Sequence, residues 1–269
     1  MWVTVNGREM ETHALTLCAL CDALYGDNAD VVRIVGGYQV RGDMPLHDGD
    51  SIVFIERGAF PPENCFEQML AARHTPGVHA KVKRGCVGIA GLGGLGSHIA
   101  LCLARTGVGT LHLVDSDVVE PSNLNRQQYR IAHLGMRKTE ALRAQIAEVN
   151  PYVQVVIDSV RVDADNACTL FAQDDIVCEA FDGAEDKAML VNTLLAERPA
   201  RRIVAASGMA GYGSCNDIAT RRVAGNFYIC GDGRTEAAVG CGLMAPRVSV
   251  CAGHQANVVL QLLVEGEAR

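Results

Sequence analysis

Six consecutive residues, Gly91-Leu92-Gly93-Gly94-Leu95-Gly96, offer the first chemistry in this sequence. Gly91, Gly93 and Gly96 fit G-x-G-x-x-G. In such a loop the first glycine permits a tight turn and the second lets a phosphate reach the backbone. The third lets the following helix pack close to the preceding strand. The loop follows an apolar run, Cys86–Ala90, and opens a helical segment, so helix N-terminal N–H groups and their partial positive charge face a bound anion. Asp115 closes the next apolar run, LHLVD, roughly 20 residues past the glycines, where an acid suits a ribose hydroxyl. The loop by itself fits NAD, FAD or ATP.

A polar run narrows that choice. Ser122-Asn123-Leu124-Asn125-Arg126-Gln127 follows Asp115 and Asp117 closely. A nicotinamide enzyme has no need of a fixed arginine beside the phosphates. Nucleotidyl transfer does, because charge builds on the α-phosphate and on the departing pyrophosphate. Arg126 offers a planar, permanently charged fork for phosphate oxygens. Lys138, near the start of a helical segment, is a candidate second cation. Asp182 lies beyond the apolar segment DIVCEAF, at a strand's carboxyl end, where open α/β sheets bind ligands. A carboxylate there suits Mg²⁺ held against a triphosphate.

At these residues the chain resembles a known family. GLGGLGS, then D-x-D-x-V-E-x-S-N-L-N-R-Q, then G-x-x-K-x-E-A-L, then N-P, is similar to the ThiF/MoeB/E1-like family of ubiquitin-like-protein activating enzymes, over roughly residues 65–264. SGMAGYG (residues 207–213), CGDG and GLMAPRV are most similar to a short ThiF of thiamine biosynthesis. The first sixty residues resemble ThiS, a small β-grasp sulfur carrier, through an Asn-Gly hairpin and the strand DGDSIVFI. The resemblance implies adenylation, with ATP and Mg²⁺, of the C-terminal glycine of a ThiS-type carrier, supporting sulfur transfer to the thiamine thiazole. Activation of a molybdopterin-type carrier and a catalytically silent carrier-binding scaffold are the alternatives. It further implies Gly91, Gly93, Gly94 and Gly96 as the phosphate loop and Asp115 and Asp117 beside the nucleotide. Asn123, Asn125, Arg126 and Gln127 would lie around the triphosphate, Lys138 on phosphate, and Asp182 on the metal, although Gly183 stands after it where asparagine is usual. Related dimers send an arginine into the partner subunit's ATP site, and Arg73 is the candidate here. A homodimer, and contact with a thiazole synthase, follow as expected partners.

The elements needed to position these residues are legible. Apolar runs near residues 86–90, 111–114, 153–157, 175–178 and 202–206 lack alternation, as strands buried on both faces do. Helical segments at 97–105, 138–149 and 185–197 separate them. That order predicts an α/β unit, Rossmann-like, with a mostly parallel sheet. Residues 1–58 read instead as a small α+β unit: a strand at 2–5, an Asn6-Gly7 hairpin, a helix using Leu15, Leu17, Leu20, Ala23 and Leu24, and strands at 31–35 and 51–55. The organisation expected is a β-grasp domain at 1–58, a linker and helix at 59–82, and the ATP-binding domain at 83–269.

Composition excludes other classes. The 269 residues carry 24 basic and 31 acidic side chains, a net charge of −7, which disfavours nucleic acid and anionic membranes as partners. No apolar run reaches the ~18 residues that span a bilayer, and MWVTVNGREMET, with no basic or apolar leader pattern, is not expected to be a signal peptide. Eleven cysteines in no framework rhythm read as free thiols in a cytoplasmic protein. Many relatives hold zinc with two CxxC pairs. Here Cys215, Cys230, Cys241 and Cys251 lie too far apart for that spacing, so no zinc is expected. Cys18-x-x-Cys21 reads as two small residues facing a core. Cys241 stands where some relatives link covalently to the carrier, which makes it a candidate in sulfur transfer but dispensable for adenylation. The first unit has no terminal Gly-Gly, because the chain runs on through Gly58, so it is not expected to be the carrier itself. Trp2 is expected to cap the small core. His98 and His112 are expected to be structural, with no acid paired to them, and Arg201-Arg202 and Arg221-Arg222 to be solvated strand ends or to steer an acidic carrier.

Overall fold

The computed structural model describes residues 1–27, 29–75 and 77–266, in two compact units that divide after Ala80. Alternation sets the first unit. In β1 (Trp2–Val5), Val3 and Val5 point inward, and β2 (Arg8–Glu11) returns antiparallel to it. Asn6 and Gly7 both have left-handed φ, 50° and 81°, as a two-residue hairpin matched to strand twist requires. Helix α1 (Leu17–Tyr25) crosses to β3 (Val31–Val35), β4 (Tyr38–Val40) and β5 (Ser51–Glu56). The sheet order is β2-β1-β5-β3-β4, with β1 and β5 the one parallel pair. Leu17, Leu20, Ile52 and Phe54 fill the space beneath α1. Helix α2 (Glu63–Leu70) falls in the same compact unit.

Three details differ from the sequence reading. Trp2 is 56% exposed and caps nothing, because period-two alternation gives the inward positions to Val3 and Val5. Leu15 lies outside α1, whose N-cap is Thr16, its hydroxyl accepting from Ala19 N at 3.3 Å, and Leu24 falls on the outer face. Cys21 is buried as expected, but Cys18 accepts a hydrogen bond from Arg33 Nη1 at 2.7 Å.

After α3 (Val78–Val82), the second unit alternates strand and helix: β6 (Cys86–Ala90), α4 (Gly94–Thr106), β7 (Thr110–Val114), α5 (Lys138–Val149), β8 (Gln154–Asp158), α6 (Ala167–Leu170), β9 (Ile176–Glu179), α7 (Ala184–Glu197) and β10 (Arg202–Ala206). An antiparallel pair, β11 (Ala219–Ala224) and β12 (Phe227–Gly231), and the long α8 (Ala245–Glu265) complete it. The sheet order is β11-β12-β10-β9-β6-β7-β8, parallel throughout except for β11. From β6 the chain builds outward through β7 and β8, then restarts on the other side at β9. A crevice must open where the order reverses, outside the carboxyl ends of β6 and β9. Register makes those ends level: Ala90 pairs with Val114 and with Glu179.

The sequence reading offers no strand at β12 and no helix at α8; it makes Arg221-Arg222 a solvated strand end, and the pair is exposed but sits inside β11. Polar residues break the apolar run in α8, yet Gln255 is fully buried, and its Nε2 donates to Glu179 O and Val204 O at 3.1 and 3.2 Å. The glutamine amide ties α8 to the last residue of β9 and to the middle of β10. No helix among the described residues is long and apolar enough to cross a membrane. All eleven cysteines are free thiols, five of them buried.

His112 is structural, but it does have paired acids. Its Nδ1 lies 2.9 Å from Asp174 Oδ2 and its Nε2 2.9 Å from Asp158 Oδ2, with the ring 6% exposed. The sequence could not show this, because Asp158 and Asp174 arrive from β8 and from the turn before β9. Burial disfavours the imidazolium, but the two carboxylates outweigh it and raise the His112 pKa. A group whose folded pKa is raised stabilises the fold fully below its unfolded pKa, near 6.5, and loses that contribution as pH climbs through the folded value. Melting profiles from pH 6 to 9 are therefore expected to show His112→Gln deficient by about 2 kcal/mol at the acid end. The deficit should shrink toward pH 9; a deficit independent of pH would contradict the buried imidazolium.

Candidate active site

A cleft of about 720 Å³ opens at the carboxyl ends of β6, β7, β9 and β10, within the ~300–1,000 Å³ range of ligand pockets. The glycine loop forms one wall. A Cβ on Gly96 would overlap the Gly91 carbonyl oxygen, so only glycine lets α4 start this close to β6. The loop is fixed from two sides: Asp115 Oδ2 accepts from Leu92 N at 2.7 Å, and the buried Tyr129 hydroxyl donates to Leu92 O at 2.8 Å. Burial, and then Asp115 and Asp117, push the Tyr129 phenol up, so it stays a donor. The first-turn N–H groups of α4, left over by the helix ladder, are thus held rigidly beside Gly93 and Gly94.

Cations and acids meet opposite this wall. Lys138 is 6% exposed, its Nζ 2.7 Å from Asp117 Oδ2 and 3.7 Å from Asp115 Oδ2. Asp115 Oδ1 accepts from Asp117 N at 2.7 Å, so both its oxygens are oriented while lone pairs remain for a ligand. The Arg126 Nη1 donates to Ser122 O at 3.2 Å and to Asn125 Oδ1 at 2.9 Å. Gln127 lines the same side, with its Oε1 buried and lacking a partner. Asp182 follows β9 and is exposed at the mouth, with no hydrogen bond or ion pair among the described residues. One such carboxylate completed by phosphate oxygens is the usual donor set for Mg²⁺ in nucleotide sites, so this cleft fits that ion.

Gly91, Gly93, Gly94, Asp115, Asp117, Arg126, Gln127, Lys138 and Asp182 therefore share one cleft. Gly96, Asn123 and Asn125 lie behind its lining. Gly96 sets the helix approach, buried Asn123 accepts from Glu120 N at 3.0 Å to close the turn at Pro121–Asn123, and Asn125 steers Arg126. Cys241 is outside the lining, in a tight Ala238–Cys241 bridge. Arg73 is exposed in the first unit.

Four further residues shape the cleft. Glu179, fully buried at the end of β9, takes Lys187 Nζ at 3.0 and 3.2 Å, and Phe181 N at 2.7 Å. Burial raises its carboxyl above the usual range despite Lys187. Asp232 and Arg247, both nearly inaccessible, pair at 2.5 Å. Asp232 also takes Arg234 N, Thr235 N and Thr235 Oγ1, each at 2.8 Å. Burial works against that carboxylate, but these donors and Arg247 hold its pKa below the ordinary value. The segment after β12 is thereby fixed along the cleft through Gly233, Thr235 and Ala237. Asp232 lies in the CGDG run and Arg247 in GLMAPRV, but no spacing signal pairs residues so far apart in the chain. Among the described residues, no group of three or more His, Cys, Asp or Glu side chains is gathered for a metal.

Comparison with known proteins agrees with this geometry. Residues 67–268 match the ThiF family model, and residues 1–58 match a ThiS-like ubiquitin model. The adenylyltransferase and sulfurtransferase UBA4 of Candida glabrata is 34% identical over 151 residues, 56% of this chain and 34% of that protein. The probable adenylyltransferase/sulfurtransferase MoeZ of Mycobacterium tuberculosis is 38% identical over 122 residues, 44% of this chain and 31% of its own. The chain thus spans about a third of the length of these curated relatives. Among solved structures, the E. coli tRNA N6-threonylcarbamoyladenosine dehydratase TcdA, in complex with ATP, superposes with a TM-score of 0.67 at 19% identity, covering 77% of this chain and 98% of that one. E. coli MccB superposes at 0.54 and 23% identity, covering 70% of this chain and 59% of that one. With the glycine loop, the polar run and the sheet all accounted for by one model over most of its length, the chain belongs to the ThiF family.

Proposed function

We infer that this chain adenylates the C-terminal carboxylate of a ubiquitin-like sulfur carrier, a ThiS-type protein in thiazole formation being the specific substrate. The observation that carries this reading is the convergence of Arg126, Lys138 and Asp182 on one glycine-loop cleft. A carboxylate is a poor electrophile and must be activated before sulfur can be installed on it. One carrier carboxylate oxygen attacks the α-phosphorus of ATP, the bond to the β-phosphate oxygen breaks, and pyrophosphate leaves with that electron pair. No protein nucleophile is needed. Positioning by the α4 N–H groups and charge neutralisation by Arg126 and Lys138 suffice. Mg²⁺ bound through Asp182 would neutralise the departing pyrophosphate. Arg73 reaching a partner subunit's cleft in a homodimer completes the reading.

The test is carrier-dependent ATP–pyrophosphate exchange with labelled pyrophosphate and a separate ThiS ending in Gly-Gly. Exchange only with added carrier is expected; ATP binding without exchange would favour a silent scaffold. Exchange with a molybdopterin-type carrier instead would move the pathway and leave the chemistry. Cys241→Ser is expected to keep exchange within about twofold, because Cys241 stands outside the cleft lining. A dead Cys241→Ser protein with an unchanged melt would place that thiol in the adenylation step.

A further inference from the structure

A second recess, of about 300 Å³, opens at the amino ends of β9 and β10. Strands of four or five residues, at about 3.3 Å each, put it some 15 Å from the nucleotide cleft, at the opposite ends of the same strands. Arg198, Arg201 and Arg202 line it together with Asp174 and Asp175. Arg201 is not the solvated strand end that its sequence position suggests: it is 3% exposed. Its Nε and Nη2 are buried with no hydrogen-bond partner.

A guanidinium keeps its charge and brings five donors, so burying one unpaired is costly. The neighbouring acids are engaged elsewhere. Asp174 Oδ2 lies against His112 Nδ1 at 2.9 Å, and its Oδ1 takes Cys86 Sγ at 3.3 Å. Asp175 Oδ2 takes Cys86 N at 2.9 Å. Among the described residues, Arg202 Nη2 donates only to Gly266 O, at 3.4 Å. None of the three arginines has an ion-pair partner among the described residues. Burial, and next the Arg198 charge, lower the Arg201 pKa, with Asp174 and Glu197 opposing. The recess therefore holds three guanidinium groups, one of them buried, and no anion committed to them.

We propose that this recess is a second ligand site, which takes a phosphate-class oxyanion between Arg201, Arg198 and Arg202. Planar forks match the paired oxygens of such an ion, and donors fixed by burial bind it with little ordering cost. The volume admits inorganic phosphate, pyrophosphate or the terminal phosphate of a larger molecule. Its place at the amino ends of β9 and β10 separates it from the triphosphate of a nucleotide at their carboxyl ends.

The test is calorimetric titration of the full chain, its cleft saturated with a non-hydrolysable ATP analogue, with inorganic phosphate at constant ionic strength. One phosphate per chain is expected, weakened at least tenfold by Arg201→Gln. Should Arg201→Gln fail to fold, Arg198→Ala/Arg202→Ala decides, with at least tenfold weakening again expected. No binding, or an affinity unmoved in a folded variant, overturns the proposal, as does a loss with added chloride equal in wild type and variant. Parallel titrations with pyrophosphate and acetate identify the source. Arginine-dependent acetate binding widens the class to carboxylates, and its absence confines the site to phosphates.

Discussion

Arg126→Ala is expected to lower carrier-dependent ATP–pyrophosphate exchange by about 10²–10³-fold, the usual cost of removing a fixed donor from a site of developing charge. The side chain supports little else. Its two hydrogen bonds go to Ser122 O and to the neighbouring Asn125, and the residue is part-exposed. The melt should move by no more than about 0.5 kcal/mol, as for other changes at a protein surface. On the proposed mechanism, the loss should fall on turnover more than on ATP affinity, because the α4 N–H groups and Lys138 would still hold the ground-state phosphates while charge accumulates only in transfer. Near-normal exchange in a protein with an unchanged melt would remove Arg126 from the mechanism.

Asp232→Ala is expected to cost about 3–5 kcal/mol, because it strands the Arg247 charge in a site that stays buried. In a unit of this size that is a fall of roughly 10 °C in the melting midpoint. Exchange should drop as well, since Thr235 and Arg234 lose the carboxylate that fixes their segment beside the cleft. The folded pKa of Asp232 is depressed, so its contribution exists above the ordinary carboxylate range and vanishes as pH falls through it. The gap between wild type and variant should therefore narrow toward pH 3. Asp232→Ala/Arg247→Met should recover part of the loss, because no unpaired charge remains. A single-variant cost below about 1 kcal/mol, or a double variant worse than both singles summed, would contradict this account of the pair.

The elements nearest the glycine loop were legible because local signals fix them. Uninterrupted apolar runs gave β6, β7, β9 and β10 to within a residue or two, and Gly91 to Gly96 announced the turn between β6 and α4. The first unit was readable for the same reason, with Asn6-Gly7 forcing the hairpin register. Side-chain roles that depend on distant partners were not. Asp232 and Arg247, Glu179 and Lys187, and His112 with its two aspartates become pairs only when strands and helices assemble. Helix α8 was hidden because a buried glutamine, which reads as polar, donates its amide to the carbonyls of two neighbouring strands, β9 and β10. Asn123 and Asn125 belong to a motif of the right kind, yet spacing alone cannot separate a residue that faces the ligand from one that braces its neighbour.

The thiols carry a consequence of their own. Cys21 and Cys65 are buried in the first unit, and Cys178, Cys230 and Cys251 in the second. Burial pushes the Cys21 and Cys178 thiols up, Cys230 to about 11 and Cys251 to about 12. Folded, Cys21, Cys178, Cys230 and Cys251 hold almost no thiolate, and all five buried sulfurs are screened from reagent, whereas Cys102 and Cys215 are exposed. Alkylation of each buried cysteine then proceeds only at the rate and frequency with which its surroundings open. The native chain thus contains, without any engineered label, separate gauges of the opening free energy of its two units, readable peptide by peptide in one mass-spectrometric time course.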